Sequence, residues 1–229
     1  MKRFYSKAET AQQPGGVAIR LDGRPVKTPA RAALLLPTEE LAEAIVAEWN
    51  GQSEKIDPLS MPLTGLANAA IDRVAPDPEA FARGLAAYGE SDLLCYRADT
   101  PQPLIDRQAG SWDPILDWAR GRFDVEFNTT SGVMHRAQPA DTIARLGGAI
   151  RARDPFRLAA MSPLVTISGS LVIALALAEG EIGLDTAWAA ATLDEAWQAE
   201  QWGEDPLAVA AYEERRRDFQ AAYRFLTLL

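Results

Sequence analysis

The sequence predicts an α+β fold: a small N-terminal domain with an antiparallel β-sheet, followed by a larger, mainly α-helical domain. Three observations predict it. Strand-like alternation is confined to the first 36 residues, where Asp22-Gly23 supplies a strong hairpin turn. Helical periodicity dominates afterwards. Strands come first and helices later, which excludes a doubly wound sheet built from alternating units.

The elements follow in order. Val17-Ala18-Ile19-Arg20-Leu21 alternates with period two and reads as a strand. Pro25-Val26-Lys27-Thr28 is the expected return strand, held to an edge or a strand start by Pro25. Leu34-Leu35-Leu36 is a third candidate, and Phe4-Tyr5 a possible addition. Thr38 is placed to N-cap a first helix, with Glu39 and Glu40 in its opening turn and Leu41, Ile45, Val46 and Trp49 on one face. Breakers gather at Asp57-Pro58 and Met61-Pro62. Helices are expected over 63–74, 78–88, 103–123, 139–152, 156–179, 184–202 and 206–227. Leu93-Leu94-Cys95-Tyr96 fits either a strand or a short helix. A strand near 93–96 or 125–127 is a candidate to rejoin the sheet. The expected domains are 1–58 and 59–229.

Residues 158–178 carry no charge over 21 positions, long enough to span a bilayer. Pro163, Gly169, Ser162, Ser168, Ser170 and Thr166 interrupt the stretch, and no aromatic belt flanks it. A buried core helix is the better reading, with no membrane insertion.

Composition narrows function. The chain has 229 residues, 48% hydrophobic and 24% charged, with a net charge of −9. That balance disfavours a nucleic-acid partner, which calls for a basic face. The charge is uneven: residues 1–36 are net +5 and residues 179–229 net −7. Either both ends are simply solvated, or an acidic surface steers a basic partner. One cysteine, Cys95, allows no intrachain disulfide, and one histidine, His135, allows no multi-histidine zinc site. No phosphate-cradling loop is present, so neither a nucleotide nor any other cofactor is expected. Asp113 and Asp117, between Trp112 and Trp118, are the one carboxylate pair an enzyme reading could use on a small molecule. Nothing else completes a catalytic set, and the chain is expected not to be an enzyme.

The stretch 184–202 is the most informative. On one helix, Leu184, Trp188, Ala191, Glu195, Gln198 and Trp202 share a face, with Ala190, Leu193 and Trp197 opposite. Glu195 then lies among tryptophans, where a carboxylate is paired with an arginine, held in water at a rim, or aimed at a partner. Six tryptophans suit cores and interfaces alike, since they bury large area with few rotatable bonds.

Four runs go beyond composition: Leu21-Asp22-Gly23-Arg24-Pro25-Val26-Lys27-Thr28-Pro29; Ala47-Glu48-Trp49-Asn50-Gly51-Gln52; Met61-Pro62-Leu63-Thr64 with Ile71-Asp72-Arg73-Val74; and Gln198-Ala199-Glu200-Gln201-Trp202-Gly203-Glu204-Asp205. Arg107-Gln108 and the stretch from Trp112 to Trp118 fit as well. In order and spacing the chain resembles the ATP-twelve family, assembly chaperones for the catalytic sector of F-type ATP synthase. The resemblance implies a chaperone that binds the unassembled alpha subunit and hydrolyses nothing. It also implies a partner-binding region at Glu195, Gln198, Trp202, Gly203, Glu204 and Asp205. Asp22, Gly23, Arg24, Pro25, Trp49, Met61 and Pro62 are then motif positions of structural kind. The absence of a long presequence points to a bacterial member in the cytoplasm; eukaryotic relatives would work in the mitochondrial matrix. A scaffold with another partner is the bland alternative.

Overall fold

The structure, a computed structural model, describes residues 2–132, 134–203 and 205–229. The chain forms two compact units. The first comprises Met1–Pro78 with the returning pieces Asp154–Ala160 and Ala221–Leu229; the second comprises Glu79–Arg153 and Met161–Gln220.

The first unit is built on an antiparallel sheet of β1 (Ala8–Gln13), β2 (Gly16–Leu21), β3 (Arg24–Pro25) and β4 (Leu35–Leu36), with β2 pairing all three others. The expected hairpin is present: Asp22 and Gly23 take φ of 47° and 80°, the left-handed pair such a turn needs. The return strand is shorter than expected. It stops at Pro25 and continues only as a bridge from Lys27 to Ala33. Phe4-Tyr5 adds no strand, although Lys2 bridges Lys55 beside it. β1 is an addition, because its Ala-Glu-Thr-Ala-Gln-Gln composition carries no apolar alternation. Gly16 is required where β2 meets β4: a Cβ there would sit 2.5 Å from the Leu36 carbonyl oxygen, at a φ of +149°.

Helices α1 (Glu39–Asn50) and α2 (Pro62–Ala69) cover this sheet, and α2 runs on into a π-helical turn, Ala70–Val74. Thr38 caps α1 as expected, its Oγ1 accepting from the Leu41 N–H at 3.3 Å. Val17, Ile19, Leu34, Leu36, Leu41, Ile45 and Leu63 form the core, joined by Ala160 and Phe225 from the returning pieces. Side-chain staples carry the unit past the expected boundary at 58. The Glu48 carboxylate accepts from the Leu63 N–H at 2.7 Å and the Thr64 N–H at 2.8 Å, so it caps α2. Asp72 accepts from the Thr28 hydroxyl at 2.6 Å and the Ala30 N–H at 3.0 Å.

The second unit contains α3 (Pro78–Ala86, its first residue still in the first unit), α4 (Gln102–Phe123), α5 (Ala140–Arg151), α6 (Pro155–Ser168, entering from the first unit), α7 (Leu171–Ala178), α8 (Leu184–Ala191), α9 (Leu193–Trp202) and most of α10 (Pro206–Thr227). The undecided segment resolves as both readings in sequence: a 3-10 turn, Leu93–Cys95, then β5 (Tyr96–Arg97). β5 pairs in parallel with β6 (Thr130–Ser131) and does not rejoin the N-terminal sheet. Residues 125–127 are not a strand; Val125 and Phe127 are simply buried.

Two expected helices are each broken in two. The apolar stretch 158–178 divides at Gly169, which has φ +65°, and Ser170, whose hydroxyl caps α7 through the Ile173 N–H at 3.0 Å. Leu171 through Leu177 are all buried, as a core helix requires. Among the described residues no helix is long and apolar enough to cross a membrane. The stretch 184–202 breaks at Thr192, whose φ and ψ of −113° and 14° leave the helix while its hydroxyl donates back to the Trp188 carbonyl at 2.8 Å. One helical wheel therefore does not describe it. Trp188 is buried against Tyr212 and Phe219, whereas Trp202 is exposed.

Candidate functional site

Within the second unit, side chains of α4 are tied to α8 and α9 by polar bonds. Gln108 on α4 is only 2% exposed. Its Oε1 accepts from the Ala98 N–H at 2.8 Å, and its Nε2 donates to Asp194 Oδ1 at 2.7 Å. Gln108 lies one turn before Trp112, whose indole N–H donates to the Ala190 carbonyl at 2.9 Å. Further out, the Arg107 guanidinium forks onto Glu200 at 2.7 and 3.0 Å and lies 4.9 Å over the Trp197 ring. That bond lowers the Glu200 pKa and raises that of Arg107.

These straps frame an open cleft of about 380 Å³. Its walls include Tyr96, Pro101, Leu104, Trp197 and Trp202, with Asp194 and Gln198 among the polar positions. Two lining residues, Gln198 and Trp202, were expected from the sequence. Trp202 is 79% exposed, and Leu207, just beyond it, is 80% exposed. Gly203 ends α9 with φ +85°, its N–H reaching the Ala199 carbonyl at 2.9 Å. The Asp205 carbonyl accepts from the Val209 N–H at 2.9 Å in the first turn of α10. Glu204 lies outside the described residues. Glu195 is paired with Arg215 through two hydrogen bonds at the surface, and that pairing is the first cause of the raised Arg215 pKa.

Asp194, Gln108, Pro101 and Leu104 were missing from the sequence expectation. Gln108 carried a signal: it stands on the buried face of α4 with Trp112, Ile115 and Ala119, and a buried carboxamide needs partners. Pro101 and Leu104 reach the cleft only through the turn that joins β5 to α4, which sequence periodicity does not report.

The motif residues of the first unit act as scaffolding. Asp22 turns its carboxylate onto the Ser6 N–H at 3.0 Å and the Lys7 N–H at 2.9 Å, which lowers its pKa. Trp49 packs on Tyr5 and Met61, while Pro62 opens α2. Arg24 and Pro25 are exposed at the hairpin.

The two carboxylates of the enzyme alternative are both ion-paired. Asp113 is bound to Arg97 at 2.8 Å and Asp117 to Arg120 at 2.6 Å. His135 is exposed, its Nδ1 sharing a hydrogen bond with the Tyr96 hydroxyl at 2.9 Å. Burial pushes the Cys95 thiol up to about 12, leaving it unreactive. No group of three metal-ligating side chains occurs among the described residues.

Residues 2–120 match the family described as ATP12 chaperone protein. The mitochondrial protein atp12 of Schizosaccharomyces pombe is 25% identical over 214 residues, covering 88% of this chain and 74% of that one. The crystal structure of Atp12 from Paracoccus denitrificans superimposes with a TM-score of 0.95 at 42% identity, covering 99% of this chain and 97% of the other. A candidate chaperone from Agrobacterium tumefaciens gives the same TM-score at 43% identity, covering 99% and 85%.

Proposed function

This chain belongs to the ATP12 chaperone protein family, and from that premise we propose that it binds the unassembled alpha subunit of F-type ATP synthase, holding it until the catalytic sector assembles. The family's members are chaperones for ATP synthase assembly and not enzymes, so the activity is capture and release. The choice of the alpha subunit rests on the motif resemblance. The site is the acidic end of the helical region, at Glu195, Gln198, Trp202, Gly203, Glu204 and Asp205. One observation supports this placement above others: Trp202 is a large aromatic side chain left 79% exposed at the mouth of a cleft. Exposed tryptophans beside a pocket are the usual anchors of protein interfaces. The working compartment is the bacterial cytoplasm, in keeping with relatives at 42% and 43% identity from Paracoccus and Agrobacterium.

A pull-down tests the proposal. Tagged full-length chain, added to extract of cells making ATP synthase, is expected to recover the alpha subunit and to release it when beta subunit is added. Recovery of a different protein with no alpha subunit would replace this reading with that of a scaffold for another partner.

A further inference from the structure

The cleft beside α9 has an electrostatic design that its apolar walls do not explain. Two cations line or border it, and both are already matched: Arg97 to Asp113 at 2.8 Å and Arg107 to Glu200 at 2.7 Å. Asp194 is different. Its Oδ1 accepts from Gln108 Nε2 at 2.7 Å, and no ion pair to Asp194 is formed among the described residues. Gln108 is itself fixed by its second bond to the Ala98 N–H, so the Asp194 carboxylate is held in place before any partner arrives. Asp99 lies exposed between the lining residues Ala98 and Thr100, and Asp205 lies exposed three residues beyond Trp202. An anionic occupant would meet repulsion from these carboxylates, with Arg97 and Arg107 both already ion-paired among the described residues. A purely apolar occupant would leave Asp194 covered and uncompensated, a costly arrangement. A cation beside an apolar group satisfies both parts of the cleft.

We infer that the cleft seats a basic–apolar segment of the captured subunit: a lysine or arginine on the Asp194 carboxylate, and a neighbouring aliphatic or aromatic side chain against Pro101, Leu104, Trp197 and Trp202. This rests on the proposal that the chain captures the alpha subunit, and it names the chemistry by which that site selects a segment. A volume of about 380 Å³ is enough for a few side chains and too small for a folded element, so the segment inserts side chains and stays outside with its backbone. Trp202 supplies the anchor. Asp194 supplies the selection, because a charge bound by a positioned, charge-assisted contact discriminates against acidic and neutral sequences.

The test uses the full chain and isolated ATP synthase alpha subunit. A photo-crosslinker in the variant Gln198→p-benzoylphenylalanine is expected to label one alpha-subunit segment with a lysine or arginine beside apolar residues. Asp194→Asn keeps an acceptor for Gln108 and removes the charge; it is expected to weaken capture at least tenfold with an unchanged melting temperature. Trp202→Ala alters an exposed side chain and is expected to weaken capture by a similar factor. Should Asp194→Asn fail to fold, Trp202→Ala and the crosslink decide alone. Capture at wild-type strength by both variants, or a crosslink to an acidic segment, would overturn the cleft as the seat while leaving the chaperone reading intact. No capture by the wild-type chain would overturn both. A concentration-dependent dimer abolished by Trp202→Ala would assign the cleft to a second copy and overturn the inference.

Discussion

Asp92 is fully buried and holds donors from two directions: the Ser170 hydroxyl at 2.7 Å, the Val172 N–H at 3.0 Å and the Leu94 N–H at 3.1 Å. It thereby caps both the 3-10 turn before β5 and the start of α7. Burial outweighs these bonds and pushes its pKa up to about 6, from 3.8. The folded chain then binds this proton more tightly than the unfolded chain does. Asp92 therefore favours folding most below the unfolded value, and that contribution is lost as pH rises toward about 6. Urea denaturation of wild type and Asp92→Asn at several pH values checks this. The stability difference, wild type minus variant, is expected to fall between pH 4 and 6 and then level off. A flat difference would show that the carboxylate titrates alike in both states. The variant should be the weaker fold at every pH, because its amide group turns a donor toward Val172 or Leu94. Glu195 presents the opposite case. It and Arg215 have side chains 49% and 38% exposed, so their ion pair contributes no more than about 1 kcal/mol. Glu195→Lys is thus expected to shift the melting temperature only slightly while weakening capture of the alpha subunit. A large fall in melting temperature, with binding by the folded fraction unchanged, would make Glu195 scaffolding. The sequence carried Glu195 and Trp202 to this region. Neither spacing nor resemblance could find Arg215, because it lies on another helix.

Among elements, those with a local cause were legible in the sequence. The β2–β3 hairpin follows from Asp22-Gly23, and α1 follows from Thr38 and the stripe Leu41, Ile45, Trp49. β1 was not legible, because an edge strand paired on one side needs no apolar alternation. The breaks at Gly169 and Thr192 were missed for a related reason. Helical periodicity survives a one- or two-residue interruption, and only the backbone dihedrals show where the helix stops and restarts. The three motif runs of the first unit meet in pairs: Glu48 on Thr64 and Asp72 on Thr28. These three runs preserve the first unit's frame and mark no binding face, whereas the fourth, from Gln198 to Asp205, lines the cleft through Gln198 and Trp202. Trp49 tests this frame. Its ring packs edge-on to Tyr5 at 5.6 Å and against the cluster of Leu21, Ile56 and Met61, where Arg3 already lies over the Tyr5 ring. Trp49→Arg would bring a second cation into that apolar cluster. The expected loss is about 3–5 kcal/mol, read from the urea midpoint, with protein that still folds in stabilising osmolyte capturing alpha subunit normally. An unchanged midpoint would refute the packing role.

For the whole molecule the governing quantity is charge. The chain is net −9, yet residues 1–36 are net +5 and residues 179–229 net −7. The acidic bias belongs to the segment that contributes α8, α9 and α10, and the cleft walls Asp194, Trp197 and Trp202 come from it. Affinity and encounter should then separate. On the proposed reading, Trp202 and its apolar neighbours would govern how slowly a captured subunit leaves, and the long-range field of the acidic segment how often it arrives. Screening acts on the second alone. The Debye length falls from about 10 Å at 0.1 M salt to about 3 Å at 1 M. Stopped-flow association of the full chain with alpha subunit is therefore expected to slow at least tenfold between about 50 mM and about 500 mM NaCl, with the dissociation rate changing severalfold less. An association rate flat across that range would mean that the charge asymmetry of the chain is solvation only, and capture would then rest on the apolar cleft and the single Asp194 contact.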